Sequence, residues 1–236
     1  MNCLILAAGF GSRLKELTKD KPKAMIEIKG EMLLDTQIKA ALAIGVENVY
    51  IVSGYKFNLI DEHVRKKYDH RVKIIHNFQF ANSNSAFSWL LAAPYIFNKP
   101  YLHLNCDVLF TKDTLVRMVQ EFKKENNSII ACRNDLTLNN AMEQIIVDDK
   151  NILKACINKF NKKLSGKAFG MCIFTPKENK KHFKILAAEI SNGNFQENFF
   201  KAIRLNCLNS KYKAIWFDKK NIHEFNDQDD LLSNNI

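Results

Sequence analysis

Cys3-Leu4-Ile5-Leu6-Ala7-Ala8-Gly9-Phe10-Gly11-Ser12-Arg13-Leu14 joins a run of six apolar residues to a loop holding two glycines. Six such residues have the length of one buried strand, and the glycines mark where it turns. Gly9 and Gly11 let the backbone bend tightly and come close to an anion, so that exposed N–H groups can cradle phosphates. Arg13 adds a planar fork of donors that is always charged. Lys23, reached through Leu17-Thr18 and Lys21-Pro22, adds a mobile point charge. Together they can hold a triphosphate and stabilise charge on a departing phosphate group. The two glycines alone fit a plain strand-to-helix turn equally well. The spacing is neither that of a Walker A loop nor a full dinucleotide fingerprint.

Outward from this loop, strand-length apolar runs alternate with segments of helical period. Residues 33–44 carry Leu33, Leu34, Ile38, Ala41 and Leu42 at helical spacing, and Gly45 stops them. Strands are expected at 49–52, 72–75 and 101–104, and helices at 59–68, 85–93 (ended by Pro94) and 114–122. This order predicts an α/β fold with a mostly parallel sheet covered by helices on both faces. Past residue 128 the pattern changes to short strands at 129–132, 144–147, 152–157 and 171–174, an antiparallel or mixed extension of the sheet. A helix follows near 196–205, and the run 177–184 reads as a solvated face.

The 236 residues are 47% hydrophobic, enough for one substantial core. Lys plus Arg number 35 against 25 Asp plus Glu, a net charge of +10. That balance fits a polyanionic partner or a solubilising surface, and does not choose between them. Nucleic acid is not the expected partner, because no aromatic–basic interleaving or binding motif is present. Cysteines at 3, 106, 132, 156, 172 and 207 form no C-x-x-C pair, and most lie in apolar runs. They read as small buried hydrophobes in a reducing compartment, not as zinc ligands or disulfides. The run at 3–8 is too short for a signal peptide, and no stretch approaches a membrane span, so the expectation is a cytoplasmic protein without a membrane partner. The sequence leaves the oligomeric state open, a homo-oligomer included.

The string Leu6-Ala7-Ala8-Gly9-x-Gly11-x-Arg13-Leu14 with Pro22-Lys23 resembles the signature of the sugar-phosphate nucleotidyltransferase superfamily, L-A-A-G-x-G-x-R-L followed by P-K, at every fixed position. The resemblance covers most of the chain, more weakly past residue 130. It implies a Rossmann-like, three-layer fold with the nucleoside triphosphate over residues 6–13, Ser12 included, and with Arg13 and Lys23 activating its phosphates. One domain over 1–236 is expected, nucleotide-binding in front (about 1–127) and acceptor-binding behind (about 128–236).

Asp107, in Asn105-Cys106-Asp107-Val108-Leu109-Phe110, lies just past a strand end, where ligands of open α/β sheets bind. By position alone it reads as a cap or turn residue at least as well. Its resemblance to the superfamily's G-D-V-L-F-type segment makes it the expected Mg²⁺ ligand and places Cys106 beside the nucleotide. A second metal carboxylate usually lies in a segment like E-I-D-x-x-x-D-L. Here Glu224-Phe225-Asn226 begins the matching stretch, with Asn226 where an Asp is common and Asp230 as a helix-start residue. Asn226 can offer a carbonyl oxygen to the metal, and Glu224 can face the acceptor.

The segment Asn82-Ser83-Asn84-Ser85-Ala86-Phe87-Ser88 fits an N-cap cluster. It also resembles the T-N-S/N-x-Y-S-L segment of cytidylyltransferases acting on phosphocholine and 2-aminoethylphosphonate, and lacks the Gly-Thr-Ala type of the sugar branch. That implies CTP as donor, Asn84 near the nucleotide, and Asn82, Ser83 and Ser85 near a small phosphorylated acceptor. Lys159 resembles the superfamily's similarly placed phosphate-contacting lysine and fits a solvated surface lysine equally well, and Trp216 reads as core packing ahead of a cation–π wall for the acceptor. The expected activity is Mg²⁺-dependent transfer of CMP from CTP to such an acceptor. A sugar-1-phosphate enzyme using UTP, GTP or dTTP, and a catalytically silent nucleotide-binding or nucleic-acid-binding protein, stand as alternatives.

Overall fold

The computed structural model describes residues 1–159 and 163–226. Strand β1 (Asn2–Ala7) is buried along its whole length and alternates faces, as the two-residue period of a strand requires. Cys3, Ile5 and Ala7 point to one apolar cluster, and Leu4, Leu6 and Ala8 to another. A two-stranded hairpin, β2 (Glu27–Ile28) and β3 (Glu31–Met32), leads into α1 (Leu33–Ala43). Then come β4 (Val49–Ser53), α2 (Phe57–Lys67), β5 (Val72–His76), α3 (Ser85–Ile96) and β6 (Tyr101–Asn105). β6, β1, β4 and β5 run parallel in that spatial order.

A short strand β7 (Val108–Phe110) and α4 (Lys112–Glu125) precede the part where the pairing changes direction. β8 (Ser128–Arg133), β9 (Gln144–Val147) and β10 (Leu153–Ile157) are followed by β11 (Gly166–Phe174), which runs antiparallel to β6, β8 and β9. α5 (Pro176–Ser191), α6 (Phe200–Asn206), β12 (Tyr212–Trp216) and β13 (Ile222–Glu224) follow. β12 extends the sheet parallel to β8, and β13 pairs with β7 instead.

The result is a three-layer, Rossmann-like fold with a mixed, mostly parallel sheet at its centre. Side chains of α1, α2 and α4, such as Ile38, Ile60 and Met118, fill the cluster on one face. Trp89 of α3, Leu186 of α5 and Ile203 of α6 fill the other. Each large aliphatic side chain in these clusters is worth roughly 2–5 kcal/mol against truncation to Ala.

Three local expectations need correction. Pro94 does not end its helix: α3 runs on to Ile96. Proline removes one backbone donor, but Ile96 is fully buried, and the last carbonyls find other partners. Asn2 donates to the Tyr95 carbonyl at 2.8 Å, and Asn179 to that of Ile96 at 2.9 Å. The run at 177–184 belongs to a 16-residue helix, α5, that buries Glu178, Asn179, His182 and Leu186 while Lys177, Lys180 and Lys184 face solvent. The helix expected near 196–205 is the shorter α6. Trp216 is half-buried against the second cluster, its indole N–H donating to Asn151 Oδ1 at 2.8 Å. Among the described residues no helix is long and apolar enough to cross a membrane.

Candidate active site

A cavity of about 400 Å³ opens where β1 and β6 end, the crevice that an open parallel sheet leaves beyond its carboxyl edge. Leu6 and Ala8 reach it from β1 and the turn that follows. Ala7 points to the opposite cluster, so strand alternation keeps its side chain out of the wall. Gly9 and Gly11 line the mouth. Gly11 has φ 65°, ψ 31°, and an added Cβ there would lie 3.0 Å from Lys23 Cβ and 3.1 Å from Thr18 Cγ2. Both the left-handed backbone and the close stem of Lys23 therefore require glycine. The Thr18 hydroxyl donates to the Gly11 carbonyl at 3.0 Å and fixes the turn.

Charge is concentrated at one end. Lys23 Nζ lies 2.9 Å from Asp107 Oδ2, with its side chain only 9% exposed. Lys167 of β11 lies 2.5 Å from Glu224 Oε2 and is equally enclosed. Arg13 donates to Asn226 Oδ1 at 3.0 Å, and Asn226 Nδ2 donates to Glu224 Oε2 at 3.3 Å. The β7–β13 pairing sets this arrangement. Glu224 is the register partner of Val108, and the Phe225 N–H donates to the Asp107 carbonyl at 3.0 Å. Phe225 is buried with Leu14, Ile26 and Leu33. Glu224 and Asn226, on either side of it, line the cavity.

Burial pushes the Asp107 carboxyl above the usual carboxylate range, Lys23 opposes that, and the negative charge of Glu224 adds to it. Burial would raise Glu224 too, but Lys167 and the Asn226 amide outweigh it and hold it low. The Cys106 thiol is pushed up to about 12 by burial and by the neighbouring Asp107 charge, so it is no thiolate nucleophile at neutral pH.

Thirteen of the expected site residues line this one cavity: Leu6, Ala8, Gly9, Gly11, Arg13, Lys23, Ser83, Asn84, Ser85, Cys106, Asp107, Glu224 and Asn226. Ala7, Ser12, Asn82 and Lys159 are not in its wall. Ser12 starts a 3-10 turn that kinks at Lys15 before a second one ends at Thr18, Asn82 sits in the exposed turn before α3, and Lys159 is exposed past the end of β10. Asp230 lies outside the described residues. Part of the polar segment before α3 is structural: Asn84 caps the helix by accepting from the Ser85 N–H at 2.7 Å, and Ser85 Oγ accepts from the Phe199 N–H at 2.8 Å.

Sequence reasoning missed Asn77, Glu143, Lys167 and Asn198. Asn77 donates to Ser83 and Ser88, holding the turn against α3. Glu143 receives Arg204 at 2.7 and 2.9 Å and Asn198 Nδ2 at 2.9 Å. A signal existed for Lys167 alone, as a charge inside the apolar strand Gly166–Phe174 that burial obliges to find a partner.

A family model of the MobA-like NTP transferase domain matches residues 3–160. The chain belongs to that family. Its relatives join the two branches that the glycine loop and the turn before α3 brought into comparison. A CTP:phosphoglutamine cytidylyltransferase of Campylobacter jejuni is 39% identical over 88 residues, 33% of this chain and 34% of that protein. A UTP–glucose-1-phosphate uridylyltransferase of Haloferax volcanii is 40% identical over 68 residues, 29% of this chain and 28% of that protein. The matched stretches thus span about a third of the length of these relatives. The solved CTP:phosphocholine cytidylyltransferase of Streptococcus pneumoniae superposes with a TM-score of 0.77 at 19% identity, covering 98% of this chain and 96% of that one, a shared nucleotidyltransferase fold.

The donor set suits a hard cation. Asp107 Oδ1 is buried with no hydrogen-bond partner, and the Glu224 carboxylate and Asn226 amide oxygen lie on the same wall. Among the described residues no cluster of three His, Cys, Asp or Glu side chains is able to hold a metal. Mg²⁺ commonly takes one or two carboxylates and completes its shell with water and substrate phosphates.

Proposed function

We propose that the chain transfers CMP from CTP to a small phosphorylated or phosphonate acceptor and releases pyrophosphate. The observation that carries this reading is the convergence of Arg13, Lys23, Lys167 and Asp107 on one cavity beside the glycine loop. In this reading residues 1–127 seat the nucleotide and residues 128–236 the acceptor, within one nucleotidyltransferase unit. An oxygen of the acceptor attacks the α-phosphorus of CTP. The new P–O bond forms as the bond to pyrophosphate breaks, and pyrophosphate leaves with that electron pair. The acceptor oxygen is already anionic, so no protein nucleophile is needed, in keeping with a Cys106 thiol that stays protonated.

The glycine-loop N–H groups orient the triphosphate, and Arg13 and Lys23 neutralise charge that grows on the leaving group. Mg²⁺, held by Asp107 with Glu224 and Asn226 at hand, would supply charge neutralisation on the phosphate under attack. The polar turn at Ser83, Asn84 and Ser85 stands at the same cavity and supports CTP with a small acceptor.

A second reading, uridylyl transfer to a sugar 1-phosphate, draws on the Haloferax relative. A pyrophosphate-release screen crossing CTP, UTP, GTP and dTTP with phosphocholine, 2-aminoethylphosphonate and hexose 1-phosphates separates the two. Turnover is expected with CTP and a small acceptor. Equal or faster turnover with UTP and a hexose 1-phosphate would transfer the chain to the sugar branch, and no release in any arm would refute catalysis.

A further inference from the structure

Each of the two cavity carboxylates nearest the proposed cation site already holds a cation, and that cation is a lysine of the same chain. Lys23 sits on Asp107 and Lys167 on Glu224, at 2.9 and 2.5 Å, with 9% and 7% of the lysine side chains exposed. Such buried pairs contribute little net stability, because desolvating two charges offsets most of their attraction. Stability therefore does not explain why two occur side by side. Lys167 is especially costly to place. It belongs to a strand buried from Gly166 to Phe174, and its ammonium lies 4.5 Å over the Phe169 ring.

We propose that Lys167 and Lys23 occupy the cation's places on Glu224 and Asp107 in the ligand-free protein, so that a divalent cation gains the site only together with a triphosphate that takes the lysines in exchange. A divalent cation arriving alone at Asp107 Oδ1, which has no hydrogen-bond partner, would compete with both ammonium groups for the charge of the two carboxylates. It would leave the ammonium groups unpaired beside a doubly positive charge, in a cavity that Arg13 also lines. A triphosphate arriving with the cation removes that penalty. Its oxygens accept the ammonium groups released by the carboxylates, and a lysine stem is long enough to pivot between the two. Cation and nucleotide are then thermodynamically linked, each raising the affinity for the other by the same factor. Lys167 is thereby assigned a part in ligand entry that neither the glycine loop nor the cavity's carboxylates express by themselves. The inference rests on the nucleotidyl-transfer reading only for the identity of the polyanion.

The test is equilibrium binding of Mn²⁺ to the full chain without nucleotide, read from the free-Mn²⁺ electron paramagnetic resonance signal, with circular dichroism to confirm folding. The wild-type protein should bind weakly. Lys167→Met should bind at least ~10-fold tighter, because the carboxylate it exposes has lost its resident cation. Lys167→Arg keeps the charge and should bind as wild type does. Adding Glu224→Gln to Lys167→Met should erase the gain. Lys213→Met is the control, since that lysine pairs with Glu125 of α4 at 2.7 Å, away from the cavity, and should leave Mn²⁺ affinity unchanged. With saturating CTP the gap between wild type and Lys167→Met should close to within about threefold.

Lys23→Met is the second variant, and supports the same conclusion should Lys167→Met fail to fold. Mn²⁺ binding no tighter than wild type in whichever of the two folds would overturn the proposal, as would a gap that persists in full with CTP. The nucleotide-free arms contain no acceptor and no turnover. A failed pyrophosphate screen would refute the proposed function without touching them.

Discussion

Acidification from pH 7 to pH 5 should cost this protein a large part of its stability, through two imidazoles that have no access to water. His103 of β6 and His182 of α5 are both fully buried. They belong to an aromatic cluster in which His103 stacks on Phe199 at 4.2 Å and His182 meets Phe174 edge-on at 4.9 Å. The Nδ1 atom of each lacks a hydrogen-bond partner. Burial pushes His103 down to about 4 and His182 down to about 3, so both stay neutral in the folded protein. In the unfolded chain each titrates near its ordinary value of about 6.5.

Below pH 6.5 the unfolded state binds protons that the folded state refuses, and stability falls as pH falls until the folded values are passed. At about 1.4 kcal/mol per group per pH unit, two groups over the ~1.5 units from 6.5 to 5 give about 4 kcal/mol. That compares with a typical domain stability of roughly 5–15 kcal/mol. His76 and His223, also lowered by burial, act in the same direction. Carboxylates such as Asp69, which Arg71 holds at about 2, lose their contribution only below the window. Urea unfolding at pH 7, 6 and 5, followed by fluorescence of the buried Trp89, measures the effect. His182→Phe should flatten the dependence by about 2 kcal/mol, while Tyr212 keeps its bond from Asn206 at 2.6 Å. A loss below ~1 kcal/mol in wild type, or an equally steep loss in His182→Phe, would refute the argument.

Three further outcomes concern the cavity. Arg13→Ala should lower kcat/KM by ~10²-fold or more with unchanged melting, by analogy with removing one preorganised donor, and near-normal turnover would rule out its role. Asp107→Asn should nearly abolish activity with partial rescue by Mn²⁺, while Asn226→Asp should be tolerated, and Mg²⁺ titrations of both variants check this. Gly170→Ala should destabilise by roughly 1–3 kcal/mol in thermal denaturation, because the added Cβ would lie 2.2 Å from Asn105 Nδ2 and 2.7 Å from Asn105 Cβ.

The parallel half of the sheet was legible because β1 and β4 are apolar runs, β5 and β6 are broken internally only by Lys73 and His103, and the helices between them carry a 3.6-residue period. The glycine loop was legible because a phosphate cradle needs particular residue types at fixed neighbouring positions. What escaped depended on partners distant in sequence. β13 is three residues long and exists because β7 offers it an edge, which no local pattern announces. Lys167 reaches the cavity from β11 and Glu143 from the residue before β9, and the pairing of those two strands is a tertiary matter. α5 was within reach, since Thr175-Pro176-Lys177-Glu178 carries the sequence signature of a capping box with proline in the first turn. The lysines that follow it drew the reading toward solvent instead.

Phe225 gives the cavity a mechanical property. Its ring is anchored with Leu14, Ile26 and Leu33, so the loop that carries Arg13 and the segment that carries Asn226 share one apolar bolt. Arg13 beside Leu14, and Glu224 and Asn226 beside Phe225, line the cavity, so both of its polar arms are fastened to the same anchor. Ahead of Phe225, the second arm is held by the three-residue ladder between β7 and β13, with the Arg133 guanidinium donating to the Ile222 carbonyl at 3.0 Å. So short a ladder can open locally at a fraction of the cost of global unfolding. The segment that brings Glu224 and Asn226 to the cavity thus hangs between a short ladder on one side and a buried aromatic ring on the other, and not on the parallel sheet.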